Sequence, residues 1–89
     1  MMTLKIGVIE DELIIARTIM NALEELEYNH CGAAINYTEA LEMIANEKPD
    51  LLLIDINLSG KKDGIDIAEQ VNALYQLPFI FLTSNILSK

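Results

Sequence analysis

Four short aliphatic runs constrain this chain more than any other feature, because each has the length of one β-strand. The runs occupy residues 4–9, 30–35, 51–54 and 79–82. Between them, apolar residues recur at intervals of three and four, which is the spacing of one helix face. Strands that alternate with helices predict an α/β fold, in which a parallel sheet carries helices on both faces through right-handed crossovers.

Three segments carry the helical periodicity, and polar residues, proline and glycine indicate where they begin and end. These segments cover residues 12–26, 38–48 and 65–74. Asp11 is the predicted N-cap of the first helix, and Asn29 is the predicted left-handed residue after it. Pro49 ends the second helix, since proline lacks a backbone N–H and restricts the residue before it. Gly60 and Gly64 indicate a loop before the third helix.

Length, charge and cysteine content exclude several classes of protein. A chain of 89 residues suits one domain, so we expect no second domain. Its net charge of −8 at pH 7 repels phosphate backbones and predicts no direct contact with nucleic acid. No apolar stretch reaches the length of about 18 residues that a membrane span needs, and no signal peptide is recognisable. With Cys31 as its single cysteine, the chain is expected to be cytoplasmic and to lack a disulfide framework.

Residues with reactive or metal-binding side chains directly follow three of the aliphatic runs. Glu10 and Asp11 come after the first run, Asp55 after the third and Thr83 after the fourth. In an open α/β sheet, ligands bind at the carboxyl ends of the strands, so these groups converge if the first and third strands are neighbours. Oxygen ligands of this kind suit Mg²⁺, and a carboxylate beside it can accept a phosphoryl group. Asp55 is the candidate nucleophile, and the Thr83 hydroxyl a candidate donor to a phosphoryl oxygen.

Each of these features also has an ordinary structural explanation when it is taken alone. Acidic residues are common in the first turn of a helix, Asp55 can form an Asx-turn, and Thr83 can cap a helix. Only their combination at the ends of neighbouring strands favours a phosphoryl site. His30 has no metal-binding partner at ligand spacing and is interpreted as a surface residue, and Cys31 as a small buried apolar residue.

Four segments, KIGVIEDE, LLLIDINL, DGIDIA and LPFIFLTSN, resemble the receiver domain of two-component response regulators, and together they extend along the whole chain. The resemblance implies an incomplete flavodoxin-like (CheY-like) fold, a three-layer, doubly wound parallel sheet with strand order 2-1-3-4. It implies Mg²⁺ bound by Glu10, Asp11, Asp55 and the backbone carbonyl of Asn57. It also implies that Asp55 accepts the phosphoryl group from a sensor histidine kinase or phosphotransfer protein, and that Thr83 contacts this group and switches conformation.

The resemblance covers strands one to four and helices one to three, and it does not extend to the fifth strand or the last helices of the family. Lys89 is too close to Thr83 to be the lysine that the family carries on that fifth strand. We therefore expect slow or undetectable phosphorylation of residues 1–89 by a small phosphodonor. We also expect the fourth strand to have an exposed edge, which is a site for self-association.

The leading interpretation is thus a signalling phosphoacceptor and not an enzyme. The first alternative is a phosphorylation-independent interaction domain that uses the fourth strand as its docking edge. The second is a phosphohydrolase that forms an aspartyl phosphate. Asn57 disfavours the phosphohydrolase, because haloacid-dehalogenase-type enzymes have an acid two residues after their nucleophile.

Overall fold

The computed structural model describes residues 4–56 and 64–82 of the chain. Strands and helices alternate throughout these residues, so the predicted α/β organisation is confirmed. The elements, in chain order, are β1 (Lys5–Ile9), α1 (Leu13–Glu25), β2 (Asn29–Ala34), α2 (Tyr37–Glu47), β3 (Leu51–Asp55), α3 (Gly64–Tyr75) and β4 (Phe79–Leu82).

All strand pairs of the described sheet are parallel, and the strands lie in the order β2-β1-β3-β4. This is the order predicted for a flavodoxin-like, doubly wound fold. β1 and β3 are neighbours, with Ile9 paired with Ile54. β3 also pairs with β4, where Asp55 lies opposite Leu82. The carboxyl ends of β1, β3 and β4 therefore lie along one edge of the sheet.

Two apolar cores separate the helices into layers on opposite faces of the sheet. Side chains of α2 and α3 pack on one face, together with inward-facing residues of β1, β2 and β3. α1 packs on the other face through Leu23, with Ile19 and Met20 beside it. β3 contributes to both cores, as its continuous apolar sequence predicts. Leu52 and Ile54 belong to the α2–α3 core.

The outer strand β2 contains an irregularity that β1 does not share. Between Ile6 and Val8, β1 advances by two residues, whereas β2 advances by three from His30 to Ala33. Gly32 lies inside this bulge with φ of 90°, a backbone conformation that favours glycine. A Cβ at Gly32 would meet nothing within 4 Å, so the backbone conformation and not the available space requires glycine here.

The ends of α1 differ from the prediction. Glu12, not Asp11, is its N-cap, and the Glu12 side chain makes no capping hydrogen bond. After the helix, the left-handed backbone conformation is adopted by Glu27, which has φ of 66°. Asn29 is already the first residue of β2, so its predicted role as the left-handed residue is wrong. Capping depends on local backbone angles that hydrophobic periodicity does not determine.

α2 begins with a side-chain cap that the sequence analysis did not assign. The Oδ1 atom of Asn36 accepts a hydrogen bond from the backbone N–H of Glu39 at 2.9 Å. The Glu39 carboxylate in turn accepts one from the N–H of Ile35 at 3.1 Å. Lys48, in the left-handed conformation with φ of 51°, ends the helix immediately before Pro49.

His30 has a partner that its sequence spacing did not indicate. Its Nε2 atom lies 2.7 Å from Oε2 of Glu24, near the end of α1. His30 is partly exposed, as expected for a surface residue, and Glu24 is an acidic partner that the sequence analysis did not identify. Cys31 is partly buried and packs against the α2–α3 core, and burial raises the pKa of its thiol.

None of the helices in the described part of the chain has the length and apolarity to cross a membrane.

We expect Asn36→Ala to lower the free energy of unfolding by about 1 kcal/mol, because the N–H of Glu39 loses its acceptor. Asn36→Ser should keep most of the stability, since a hydroxyl also caps this position. Asn72→Ala, at an exposed position inside α3, is the matched control and should change stability by less than about 0.5 kcal/mol. Urea denaturation followed by circular dichroism measures all three, and equal losses at residues 36 and 72 would contradict the capping role.

Candidate functional site

The parallel pairing of β1 and β3 brings three carboxylates together at the carboxyl edge of the sheet. Glu10 directly follows Ile9, and Asp55 directly follows Ile54, so the pairing of Ile9 with Ile54 sets the two acids side by side. One carboxylate oxygen from each of Glu10, Asp11 and Asp55 lies within 4.8 Å of the other two. We refer to these three residues as the carboxylate cluster.

Two members of the carboxylate cluster are buried. Glu10 is 3% exposed and Asp55 is 6% exposed, while Asp11 is partly buried. Glu10 and Asp55 are the buried charged residues of the described chain, whose buried interior is otherwise apolar or small. Removing a carboxylate from water is costly, so a chain that buries two of them together must offset the cost by a proton, a hydrogen bond or a cation.

Backbone hydrogen bonds fix the positions from which these side chains project. The N–H of Glu10 donates to the carbonyl oxygen of Ala34 at the end of β2, at 2.9 Å. The N–H of Ile56 donates to the carbonyl oxygen of Leu82 at the end of β4, at 3.1 Å. Glu10 is thus hydrogen-bonded to β2, and Ile56, the residue after Asp55, is hydrogen-bonded to β4. The cluster is built on the rigid sheet and not on a free loop.

The electrostatics of the cluster favour a proton on Glu10. Burial raises the pKa of Glu10 from 4.5 to about 7, with smaller contributions in the same direction from the charge and hydrogen bond of Asp55 and the charge of Asp11. The backbone N–H of Glu12, which donates to Oε2 of Glu10 at 3.2 Å, acts in the opposite direction. Adjacent carboxylates repel unless a proton or a cation neutralises part of their charge.

Of the five predicted site residues, the structure brings together Glu10, Asp11 and Asp55. Asn57 and Thr83 lie outside the described residues, which end at Ile56 on one side and at Leu82 on the other. Their predicted roles in metal and phosphoryl binding therefore stay predictions.

The sequence analysis missed one residue beside the cluster. Gly64 was interpreted as part of a loop, but it is the buried first residue of α3. It lies against the backbone of Asp55, where a Cβ would overlap the carbonyl oxygen of Asp55. The signal available in the sequence was a glycine at the start of a helical pattern, which is unusual because glycine has a low helix propensity.

The carboxylate cluster is suited to hold a hard divalent cation. All of its candidate ligands are oxygens, and they come from two elements that are fixed relative to one another. Mg²⁺ prefers such ligands, accepts one or a few carboxylates and completes its coordination with water or phosphate oxygens. Without a cation, the same geometry stores electrostatic repulsion that a proton on Glu10 relieves.

We expect the metal-free protein to lose stability as the pH rises from about 4.5 to about 7. In this interval folded Glu10 keeps a proton that the unfolded chain has released, so the free energy of unfolding falls with increasing pH. The shift corresponds to about 3 kcal/mol, as an order of magnitude. Urea denaturation in the presence of EDTA, at several pH values, measures the effect.

Glu10→Gln should remove most of this pH dependence, because an amide does not titrate. Glu12→Gln, a matched change at the exposed neighbour, should keep the wild-type pH dependence. An unchanged slope in Glu10→Gln would show that Glu10 does not hold the proton.

Comparison with known proteins identifies relatives along nearly the whole chain. The family described as response regulator receiver domain matches residues 6–88. The phyllosphere-induced regulator PhyR of Methylorubrum extorquens is 34% identical over 84 residues, which cover 93% of this chain and 32% of that protein. The crystal structure of the response regulator PhyR from Brucella abortus aligns with a TM-score of 0.86 and 34% identity, over 93% of this chain and 34% of its own.

A third relative is known in a complex. The anti-anti-sigma factor PhyR from Bartonella quintana, crystallised with the anti-sigma factor NepR, aligns with a TM-score of 0.81 and 34% identity, over 90% of this chain and 33% of its own. The chain thus spans about a third of the length of these relatives. The fold, the matched family and the relatives agree, and the predicted resemblance is confirmed. The chain belongs to the response regulator receiver domain family, whose members are signalling modules of two-component systems.

Proposed function

We propose that this chain is a phosphoacceptor module that receives a phosphoryl group on Asp55 from a sensor histidine kinase or a phosphotransfer protein. The observation that carries the proposal is the position of Asp55. Its buried carboxylate ends a central strand and lies within 4.8 Å of the carboxylate oxygens of Glu10 and Asp11. A nucleophilic carboxylate needs a fixed position and nearby charge compensation. This edge of the sheet offers the fixed position, together with neighbouring carboxylates that can hold a compensating cation.

The carboxylate cluster fits a Mg²⁺ ion as the source of that compensation. Glu10, Asp11 and Asp55 would hold it, together with the backbone carbonyl of Asn57. The raised pKa of Glu10 supports this assignment, because it reflects burial and negative charge that a divalent cation would offset. When bound, Mg²⁺ supplies positive charge that stabilises the carboxylates and the phosphoryl oxygens.

In the proposed transfer, a carboxylate oxygen of Asp55 attacks the phosphorus atom of a phosphohistidine. The new O–P bond gives an aspartyl phosphate, while the P–N bond breaks and the imidazole nitrogen keeps the electron pair. The Thr83 hydroxyl donates a hydrogen bond to a phosphoryl oxygen. The aspartyl phosphate carries about −1.5 to −2 charges at pH 7 in place of the single negative charge of the carboxylate, and a shift of Thr83 towards it would couple phosphorylation to a change of surface.

We infer that the output of this module is a protein contact, and that the module acts in the cytoplasm. Its net charge of −8 disfavours nucleic acid and favours basic protein surfaces. The Bartonella quintana relative forms a complex with the anti-sigma factor NepR, which supports a protein partner for this chain as well. The single cysteine, Cys31, is free and suits a reducing compartment.

Phosphorylation by a small donor tests the proposal directly. The 89-residue chain is incubated with phosphoramidate and Mg²⁺, and intact-mass spectrometry follows the addition of one phosphoryl group. We expect slow uptake that is lost in Asp55→Asn, because an amide is not a nucleophile for phosphorus. Asp50→Asn is the matched control. Asp50 immediately precedes β3 and accepts a hydrogen bond from Lys5 N–H at 2.9 Å, far from the carboxyl edge of the sheet.

Three outcomes would count against this function. Phosphoryl uptake that persists in Asp55→Asn would show that the acceptor is another residue. Uptake at the same rate with EDTA would show that the reaction does not use a divalent cation. Repeated turnover of a phosphomonoester would favour the alternative of a phosphohydrolase.

A second candidate function is self-association through β4, independent of phosphorylation. β4 is an outer strand of the described sheet, and its Ile80 and Phe81 side chains are 52% and 40% exposed. An outer strand with exposed apolar side chains offers unpaired backbone groups and apolar area to another copy of the same strand.

We expect sedimentation velocity to show an average mass that increases with protein concentration. Ile80→Lys should weaken this association by about tenfold, which corresponds to ~1.4 kcal/mol, because it introduces a charge at the strand edge. Leu74→Lys, at a residue of α3 that is 58% exposed, is the matched control and should leave the association unchanged. A wild-type chain that stays monomeric at all concentrations would exclude β4 as an interface between copies.

A further inference from the structure

Gly64 fills a position beside Asp55 that has no room for a side chain. It is the first residue of α3, and it is buried. A Cβ built on Gly64 would overlap the carbonyl oxygen of Asp55 and lie 2.9 Å from both the carbonyl carbon of Asp55 and the Cα of Ile56. All three of these atoms belong to the backbone, so no change of side-chain rotamer relieves the overlap.

The backbone of Asp55 is held on its other sides and cannot yield easily. β3 lies between β1 and β4, with Ile54 paired with Ile9 and Asp55 paired with Leu82. The next N–H, that of Ile56, donates to the carbonyl oxygen of Leu82 at 3.1 Å. Moving the peptide of Asp55 away from Gly64 would therefore strain pairing on both sides of the strand.

α3, which begins at Gly64, is also fixed in place, in this case by core packing. Ile67, Ala68 and Val71 of α3 are buried in the core that α2 and α3 share with the sheet. Interiors of this kind are close-packed and transmit small displacements to neighbouring groups. A side chain at residue 64 would thus displace either the first turn of α3 or the peptide of Asp55.

We propose that Gly64 is a positioning residue for the Asp55 carboxylate. By letting α3 begin in contact with the carbonyl of Asp55, it keeps this carboxylate in the cluster with Glu10 and Asp11. The inference rests on the proposed function, in which that cluster binds Mg²⁺. Mg²⁺ demands near-ideal octahedral geometry at about 2.0–2.1 Å, so a shift of a few tenths of an ångström in one ligand weakens binding.

Gly32 provides a matched control, because it requires glycine for a different reason. Its φ of 90° strains any other residue, yet a Cβ there would meet nothing within 4 Å. It lies in the bulge of β2, and β1 separates that strand from β3. Gly32→Ala should therefore lower the stability of the protein without moving Asp55.

The experiment compares the full wild-type chain, Gly64→Ala and Gly32→Ala, in trimethylamine N-oxide so that destabilised variants stay folded. Isothermal titration with MgCl₂ gives the Kd for Mg²⁺, and amide chemical shifts are recorded without metal. Gly64→Ala should weaken Mg²⁺ binding by about tenfold or more and move the amide signals of Asp55, Ile56 and Glu10. Gly32→Ala should keep the Kd within about twofold and leave those signals in place.

Three results would overturn the positioning role. These are wild-type Mg²⁺ affinity in Gly64→Ala, an equal loss of affinity in both glycine variants, and a Gly64→Ala chain that stays unfolded while Gly32→Ala folds.

If the wild-type chain itself binds no Mg²⁺, the metal site of the proposed function is refuted. The metal-free amide shifts then decide the positioning role. Displaced signals of Asp55 and Glu10 support it, and unchanged signals refute it.

Discussion

β1 and β3 pair in parallel with Ile9 beside Ile54, so Glu10 and Asp55 leave the two strands next to each other. The cores and the outer strands of the described sheet are arranged around this pairing. The two apolar cores cover the faces of the same two strands, and β2 and β4 hold the backbone next to the acids through the carbonyls of Ala34 and Leu82. The two central strands, β1 and β3, thus carry the buried carboxylates that repel each other.

Packing on both faces of the sheet offsets the cost of this arrangement. A small domain buries a smaller share of its surface than a large one does and is only marginally stable. Burying Glu10 and Asp55 consumes part of that stability, so the sheet must be packed on both faces to tolerate them. Buried charges that are concentrated at one edge of a sheet, and offset by packing elsewhere, are typical of functional sites.

Sequence reasoning succeeded where one strong local signal decides the structure. The aliphatic runs and the intervals of three and four predicted the strands and the helices, because burial fixes which residues face a core. The strand order was predicted by the resemblance to receiver domains and not by these patterns. Sequence reasoning failed at Asp11 and Asn29, where backbone angles and not apolar patterns determine helix ends. It also missed the contacts of His30 with Glu24 and of Gly64 with Asp55, which become visible only when helices and strands are placed in three dimensions.

The bulge at Gly32 makes the two outer strands of the described sheet unequal. A strand that bends and skips one residue of register is a poor template for a further strand, whereas β4 pairs regularly along its whole length. The described sheet therefore favours strand addition at β4 over addition at β2. In the proposed self-association, copies that meet through β4 would use up the regular edge of both, so assembly by this route would close at a symmetric pair and not continue into a fibre.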